Sequence, residues 1–244
     1  MTDHEKVLEI IRLKDQAPME VDPQKTALLI IDVQRYFVSP DYPFMQLLEK
    51  LVPGASAEYR KRVSTEVLPS IQRLQKLFRT LKLPIIYTGT GTSTGDGRDL
   101  AGWLRDFDVL AQHLLGKRVW PAVDDPSWQI DDGVAPAAGE LTLKKTTADP
   151  MASTTLDRTL RDMNVENVVV TGLTTDVCVS ATSRGAADRG YRTIVVEDAC
   201  TTLSEEMHRA SLQIISLAFG KVRTTEQIST MLSERPASMK VGAS

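Results

Sequence analysis

Apolar residues cluster in short runs along the chain, and between the runs they recur at helical spacing. Residues 26–33 and 167–171 are unalternated and rich in β-branched side chains, the pattern of a strand covered on both faces, as in a parallel sheet. Shorter segments at 83–88, 140–145, 192–197 and 221–224 complete a set of six predicted strands. Val63, Val67, Leu68, Ile71, Leu74, Leu77 and Phe78 form a helical stripe over 58–81, which Pro69 is expected to kink. Further helices are expected over 98–115, with a break near Asp106, and over 155–163, 177–187, 204–219 and 227–232. A first amphipathic helix over 4–14 is expected to pack on the outside or on a neighbouring subunit.

The connections differ in character. Residues 36–53, with Pro40, Tyr42, Pro43 and Phe44, read as irregular and aromatic, one wall of a pocket. Residues 89–97 are glycine, threonine, serine and aspartate only, which predicts a surface loop acting as a mobile lid. Residues 120–139 form a long polar connection, and the tail from Ser233 is expected to fray. Strands alternating with helices in this way predict one α/β domain over 1–244, with its core at about 25–225. The expected architecture is a three-layer α/β/α sandwich around a central, mostly parallel six-stranded sheet of Rossmann-like type.

Composition narrows the possible partners. At 42% hydrophobic and 25% charged, with a net charge of −3, the chain has the apolar mass for a large core and no excess of cations for nucleic acid or a polybasic membrane contact. No run of 18 apolar residues and no signal-peptide core is present, so a cytoplasmic protein acting on small molecules is expected. Two cysteines make no disulfide framework, which leaves each as a small buried residue or a reactive thiol.

In a parallel sheet the ligand sits beyond the carboxyl ends of the strands. Asp32, Lys144 or Lys145, and Cys178 all fall there. Side chains alternate along a strand, so only one of the two lysines can reach the site. Thr174, Thr175 and Asp176 are natural N-cap residues, which puts Cys178 in the first turn of a helix, where free N–H groups and the helix dipole are expected to hold a thiolate below the usual pKa of about 8.5. Cys200 is the weaker candidate, lacking a helix start and standing near Asp198. The 89–97 loop has neither phosphate-binding glycine pattern, and His4, His113 and His208 are scattered, so neither a metal nor a cofactor is expected.

Three ordered motifs carry a family resemblance: Leu28-Leu29-Ile30-Ile31-Asp32-Val33-Gln34, Leu143-Lys144-Lys145-Thr146-Thr147 and Gly172-Leu173-Thr174-Thr175-Asp176-Val177-Cys178-Val179. In these the chain resembles the isochorismatase-like cysteine hydrolases, on the branch of the N-carbamoylsarcosine and biuret amidohydrolases. The resemblance implies Asp32 as general base, Lys145 as the functional lysine and Cys178 as nucleophile. It also implies a cis peptide between Leu173 and Thr174, with the N–H groups of Thr174 and Cys178 forming an oxyanion hole. Where the family usually has Ser-Ala-Phe, this chain has Asp149-Pro150-Met151, which removes an expected aromatic wall. Gln34, Phe37, Arg98, Trp103 and Trp128 are the candidate substrate-binding residues. The implied activity is thioester-mediated hydrolysis of a small linear amide, ureido or carbamoyl compound, in a homodimer or homotetramer. Alternatives are a vinyl-ether hydrolase of the isochorismate type, disfavoured by Cys178, and a non-catalytic flavodoxin-like nucleotide binder.

Overall fold

Thr26–Ile31 is buried at every position, and its alternate side chains enter different layers: Leu28 and Ile30 join one apolar cluster, Ala27, Leu29 and Ile31 another. A strand with that pattern needs helices on both sides. A computed structural model describes residues 1–233, so the expectation for the tail beyond Ser233 lies outside the described residues. The strands are β1 (Thr26–Ile31), β2 (Ile85–Thr90), β3 (Leu141–Lys145), β4 (Asn167–Leu173), β5 (Arg192–Thr201) and β6 (Lys221–Arg223). They form one sheet in the order β3-β2-β1-β4-β5-β6, and every neighbouring pair is parallel. The order reverses direction between β1 and β4, the switch point at which such sheets open a crevice.

Chain order brings first α1 (Asp3–Gln16), α2 (Arg35–Val38) and α3 (Pro43–Leu51). The last two occupy the stretch expected to be irregular. Pro43 stands in the first turn of α3, where its missing N–H costs nothing. Next, α4 (Ala57–Arg62) passes through a π turn at Val63–Val67 into α5 (Leu68–Leu81), so the disturbance expected at Pro69 takes the form of a widened turn just before it. Helix α6 (Gly102–Leu115) starts later than expected and runs unbroken through Asp106.

The short α7 (Pro150–Ser153) and α8 (Leu156–Asp162) precede β4, and a π turn at Thr175–Val179 leads into α9 (Ser180–Asp188). Helix α10 (Glu205–Ile214) and α11 (Thr225–Ser233) follow β5 and β6. On one face of the sheet lie Leu74 and Phe78 of α5, Leu104 of α6 and Ile228 of α11; on the other lie Leu160 of α8, Ala186 of α9 and Leu212 of α10. No helix among the described residues is long and apolar enough to cross a membrane.

Candidate active site

The carboxyl ends of β1 to β4 converge at the switch point. β1 stops at Ile31 because Asp32 turns into the left-handed region, with φ of 51°, a conformation that aspartate tolerates better than most side chains. Its carboxylate is fully buried, with both oxygens hydrogen-bonded. Oδ1 accepts from Thr88 Oγ1 at 2.8 Å, while Oδ2 accepts from Thr90 Oγ1 at 2.9 Å and from Lys145 Nζ at 2.7 Å.

Lys145 reaches in from the edge strand β3 and is 1% exposed; Lys144, pointing the other way, is exposed. Besides Asp32, the Lys145 ammonium donates to Thr90 Oγ1 at 2.6 Å, to the Thr147 carbonyl at 2.9 Å and to Cys178 Sγ at 3.4 Å. Each member of this buried pair has the partners its charge requires, and removing one would strand the other at a cost of about 3–5 kcal/mol. Burial alone would lower the Lys145 pKa, but the fields of Asp32 and Cys178 outweigh it and leave the ammonium raised above its ordinary range.

Cys178 arrives through a tight elbow. Gly172 has φ of 114°, and a Cβ there would fall 2.0 Å from the Ile31 carbonyl oxygen, so only glycine lets β4 pass so close to β1. The Leu173–Thr174 peptide is cis, and the turn that follows raises Cys178 over the sheet edge. The expected low-pKa thiolate is corrected here. Burial pushes the Cys178 thiol up to about 12; Lys145 pulls the other way, and the Asp32 carboxylate adds to the rise. A desolvated site already holding a matched pair of charges disfavours a third.

Above the thiol opens a cavity of about 240 Å³. Thr90, Thr147 and Thr174 flank Cys178, and aromatic side chains from α2, α3, α6 and the segment after it close the walls. Phe37 and Trp103 stand on that wall. Gln34, Arg98 and Trp128 do not line it, which corrects their expected place beside the substrate.

Gln34 is buried as a brace: its Nε2 donates to the carbonyls of Thr90 and Trp128 at 3.2 and 2.7 Å, and its Oε1 accepts from Thr90 N–H at 2.7 Å. It therefore positions Thr90, the hydroxyl shared by Asp32 and Lys145. Trp128 lies across the backbone of β2, where a Cβ on Gly89 or Gly91 would come within 2.6 or 2.4 Å of its ring. Arg98 is exposed and pairs with Asp96 at 2.9 Å. The loop expected to be a surface lid is tied down at its base: Thr92 is buried, and Asp99 accepts from Thr92 Oγ1, Ser93 N–H and Thr94 Oγ1 at 2.5, 2.7 and 2.9 Å. Cys200 is buried on β5, with its thiol toward the Val196 carbonyl.

Several wall residues escape a sequence-only search. Phe107 follows Trp103 by one helical turn, a signal that i, i+4 spacing on α6 could have supplied. Trp120, Leu203 and Met207 come from unrelated segments that only the folded chain assembles. Among the described residues no three His, Cys, Asp or Glu side chains gather to hold a metal. His208 instead meets Thr175 Oγ1 at 2.8 Å through its Nδ1.

Comparison with known proteins supplies the family and the fold. The chain is 26% identical over 213 residues to the N-carbamoylsarcosine amidase of Arthrobacter sp., covering 87% of this chain and 73% of that protein. It is 27% identical over 221 residues to the ureidoacrylate amidohydrolase RutB of Caulobacter vibrioides, covering 85% and 91%. Among solved structures, a cysteine hydrolase from Pseudomonas syringae pv. phaseolicola superposes with a TM-score of 0.71 at 24% identity, over 88% of this chain and 96% of that one, and shares its fold. Residues 26–227 match the family described as the isochorismatase domain, and the chain is a member of that family.

Proposed function

We propose that the protein is a cysteine-dependent amidohydrolase that cleaves the C–N bond of a small linear amide, ureido or carbamoyl compound through a thioester. One observation carries this assignment: the Lys145 ammonium bridges the Asp32 carboxylate and the Cys178 thiol at the floor of one cavity. An acid, a cation and a thiol so placed are the parts of an activated nucleophile. The names of the amidase and amidohydrolase relatives support the same chemistry.

In the proposed reaction the Cys178 proton moves to Asp32 as Sγ attacks the carbonyl carbon, and Lys145 holds the negative charge that develops. The N–H groups of Thr174 and Cys178 are assigned to the oxyanion, where loss of one such donor typically costs about 100-fold to 1,000-fold in rate. Collapse breaks the C–N bond, and Asp32 returns the proton to the leaving nitrogen. Water, deprotonated by the same carboxylate, then adds to the thioester; the C–S bond breaks and the thiol recovers its proton. The test is an ammonia-release screen over amides, ureides and carbamoyl amino acids, with Cys178→Ala as the blank. Turnover that vanishes in the variant is expected; activity retained by Cys178→Ala on a confirmed substrate would sink the mechanism.

A further inference from the structure

The cavity over Cys178 is apolar to an unusual degree for a site expected to take small polar amides. Beyond Thr90, Thr147 and Thr174 beside the thiol and Thr202 further out, its walls are Phe37, Phe44, Trp103, Phe107 and Trp120 with aliphatic side chains between them, and among the described residues no Lys, Arg or His lines it. The acid that does line it is Asp176, which would repel an anion. Lys145 is not free to receive one, being engaged by Asp32, Thr90 and Thr147. The Thr147 hydroxyl is likewise committed, to the Asp149 carbonyl at 3.0 Å and Ser153 Oγ at 2.9 Å. Arg184 lines an adjoining groove, which shares Trp103, Phe107, Asp176 and Val177 with the cavity, and its guanidinium is held over the Phe219 ring at 4.6 Å rather than lining the cavity itself.

The rim continues the same chemistry. Trp103, Phe107, Leu203 and Met207 are each between 39% and 49% exposed, and all four border this one cavity. Apolar side chains gathered around a concave opening mark a place where apolar surface is to be covered. The cavity's 240 Å³ falls below the roughly 300–1,000 Å³ of sites for drug-sized ligands, which suits a substituent the size of one ring. A carboxylate drawn into such a wall would lose its water and meet hydroxyls but no cation among the described residues that line it, so its charge would stay uncompensated.

We infer that the substrate is an uncharged amide or urea whose substituent beyond the scissile group is an aryl or branched alkyl group, held by the Phe37–Trp103–Phe107–Trp120 wall. This rests on the amidohydrolase assignment and narrows it, setting the chain apart from enzymes whose substrates carry a carboxylate. The experiment compares kcat/KM for phenylacetamide and benzylurea with that for succinamate and N-carbamoylglycine, by ammonia release from the intact protein. The neutral compounds are expected to lead by roughly 100-fold or more, since unpaired polar groups are what such sites discriminate against. Met207→Arg, which places a cation at the half-exposed rim, should narrow that gap at least tenfold.

Cys178-dependent turnover in which the carboxylates equal or exceed the neutral compounds would overturn this inference and leave the amidohydrolase assignment standing. If none of the four releases ammonia in a Cys178-dependent way while other amides do, the inference again fails alone. If no amide of any kind is hydrolysed, the assignment itself fails and takes the inference with it.

Discussion

At the scale of single residues, the resting state of Cys178 separates two accounts of its reactivity. A helix-start thiolate would stand ionised at neutral pH, whereas burial holds the Cys178 thiol protonated, its pKa pushed from 9.0 up to about 12. A raised folded pKa means that the native state keeps a proton the unfolded chain gives up. The stability it contributes is full below about pH 9 and declines as the pH climbs toward 12. Lys145 acts in the same sense, its contribution present below 10.5 and lost as pH rises through its higher folded value. Alkylation of Cys178 by iodoacetamide, followed by mass spectrometry, should therefore accelerate about tenfold per pH unit between 7 and 9, tracking the thiolate fraction. A rate that is flat from pH 5 to 8 would show a preformed thiolate. Asp32, Lys145 and Cys178 were legible in the sequence because each closes a predicted strand or its elbow within a recognisable motif. Thr88 and Thr90, which hold Asp32 and Lys145 in register, were not, and Gln34 was singled out for the substrate rather than as a brace: hydrogen bonding between strand ends is invisible until the strands are paired.

Among the elements, the elbow after β4 depends most on one residue. Gly172→Ala would place a methyl group against the Ile31 backbone in a conformation already unfavourable for a side chain. We expect it to cost more than about 3 kcal/mol in urea unfolding, in the range of severe backbone strain. Gly95→Ala, with φ of 73° and nothing within 4 Å of the new atom, is the matched control and should cost only about 1 kcal/mol. Equal losses in the two would mean that the close approach of β4 to β1 is not what requires glycine. Strand interiors were legible from their apolar runs, but β2, β4 and β5 continue to Thr90, Leu173 and Thr201, past the points where the runs fade. Gly89 and Thr90 still pair with Lys144 and Lys145 in the ladder while the Thr90 hydroxyl turns to Asp32, so a hydrophobicity pattern ends β2 too early. The error over 36–53 had a different cause: Pro40 and Pro43 look like breakers, yet Pro43 opens a helix.

For the molecule as a whole, α1 is fastened to the far edge of the sheet by charge. Lys221 Nζ donates to the carbonyls of Lys14, Asp15 and Ala17, and the Asp15 carboxylate takes the Arg223 guanidinium, Ser216 Oγ and Val222 N–H. Lys221→Met keeps the aliphatic stem and removes the donors, a loss of roughly 1–3 kcal/mol in local stability. Limited proteolysis within residues 17–22 should then quicken several-fold while turnover stays unchanged, because α1 is distant from the cavity; a cleavage rate equal to wild type would show that other contacts hold the helix. The place of β1 in the sheet also sets a timetable. It lies between β2 and β4, and Thr171 of β4, which bonds to Leu29, stands 142 residues further along the chain. At about 5–20 residues per second of synthesis, β1 waits on the order of 10 s for that neighbour. Through that interval its apolar residues have an uncovered flank, and Asp32 has no Cys178 beside it. A truncated or stalled product ending before β4 is therefore a client for chaperones and lacks the segment that carries Cys178, so the candidate site is complete only once the chain has been made past that residue.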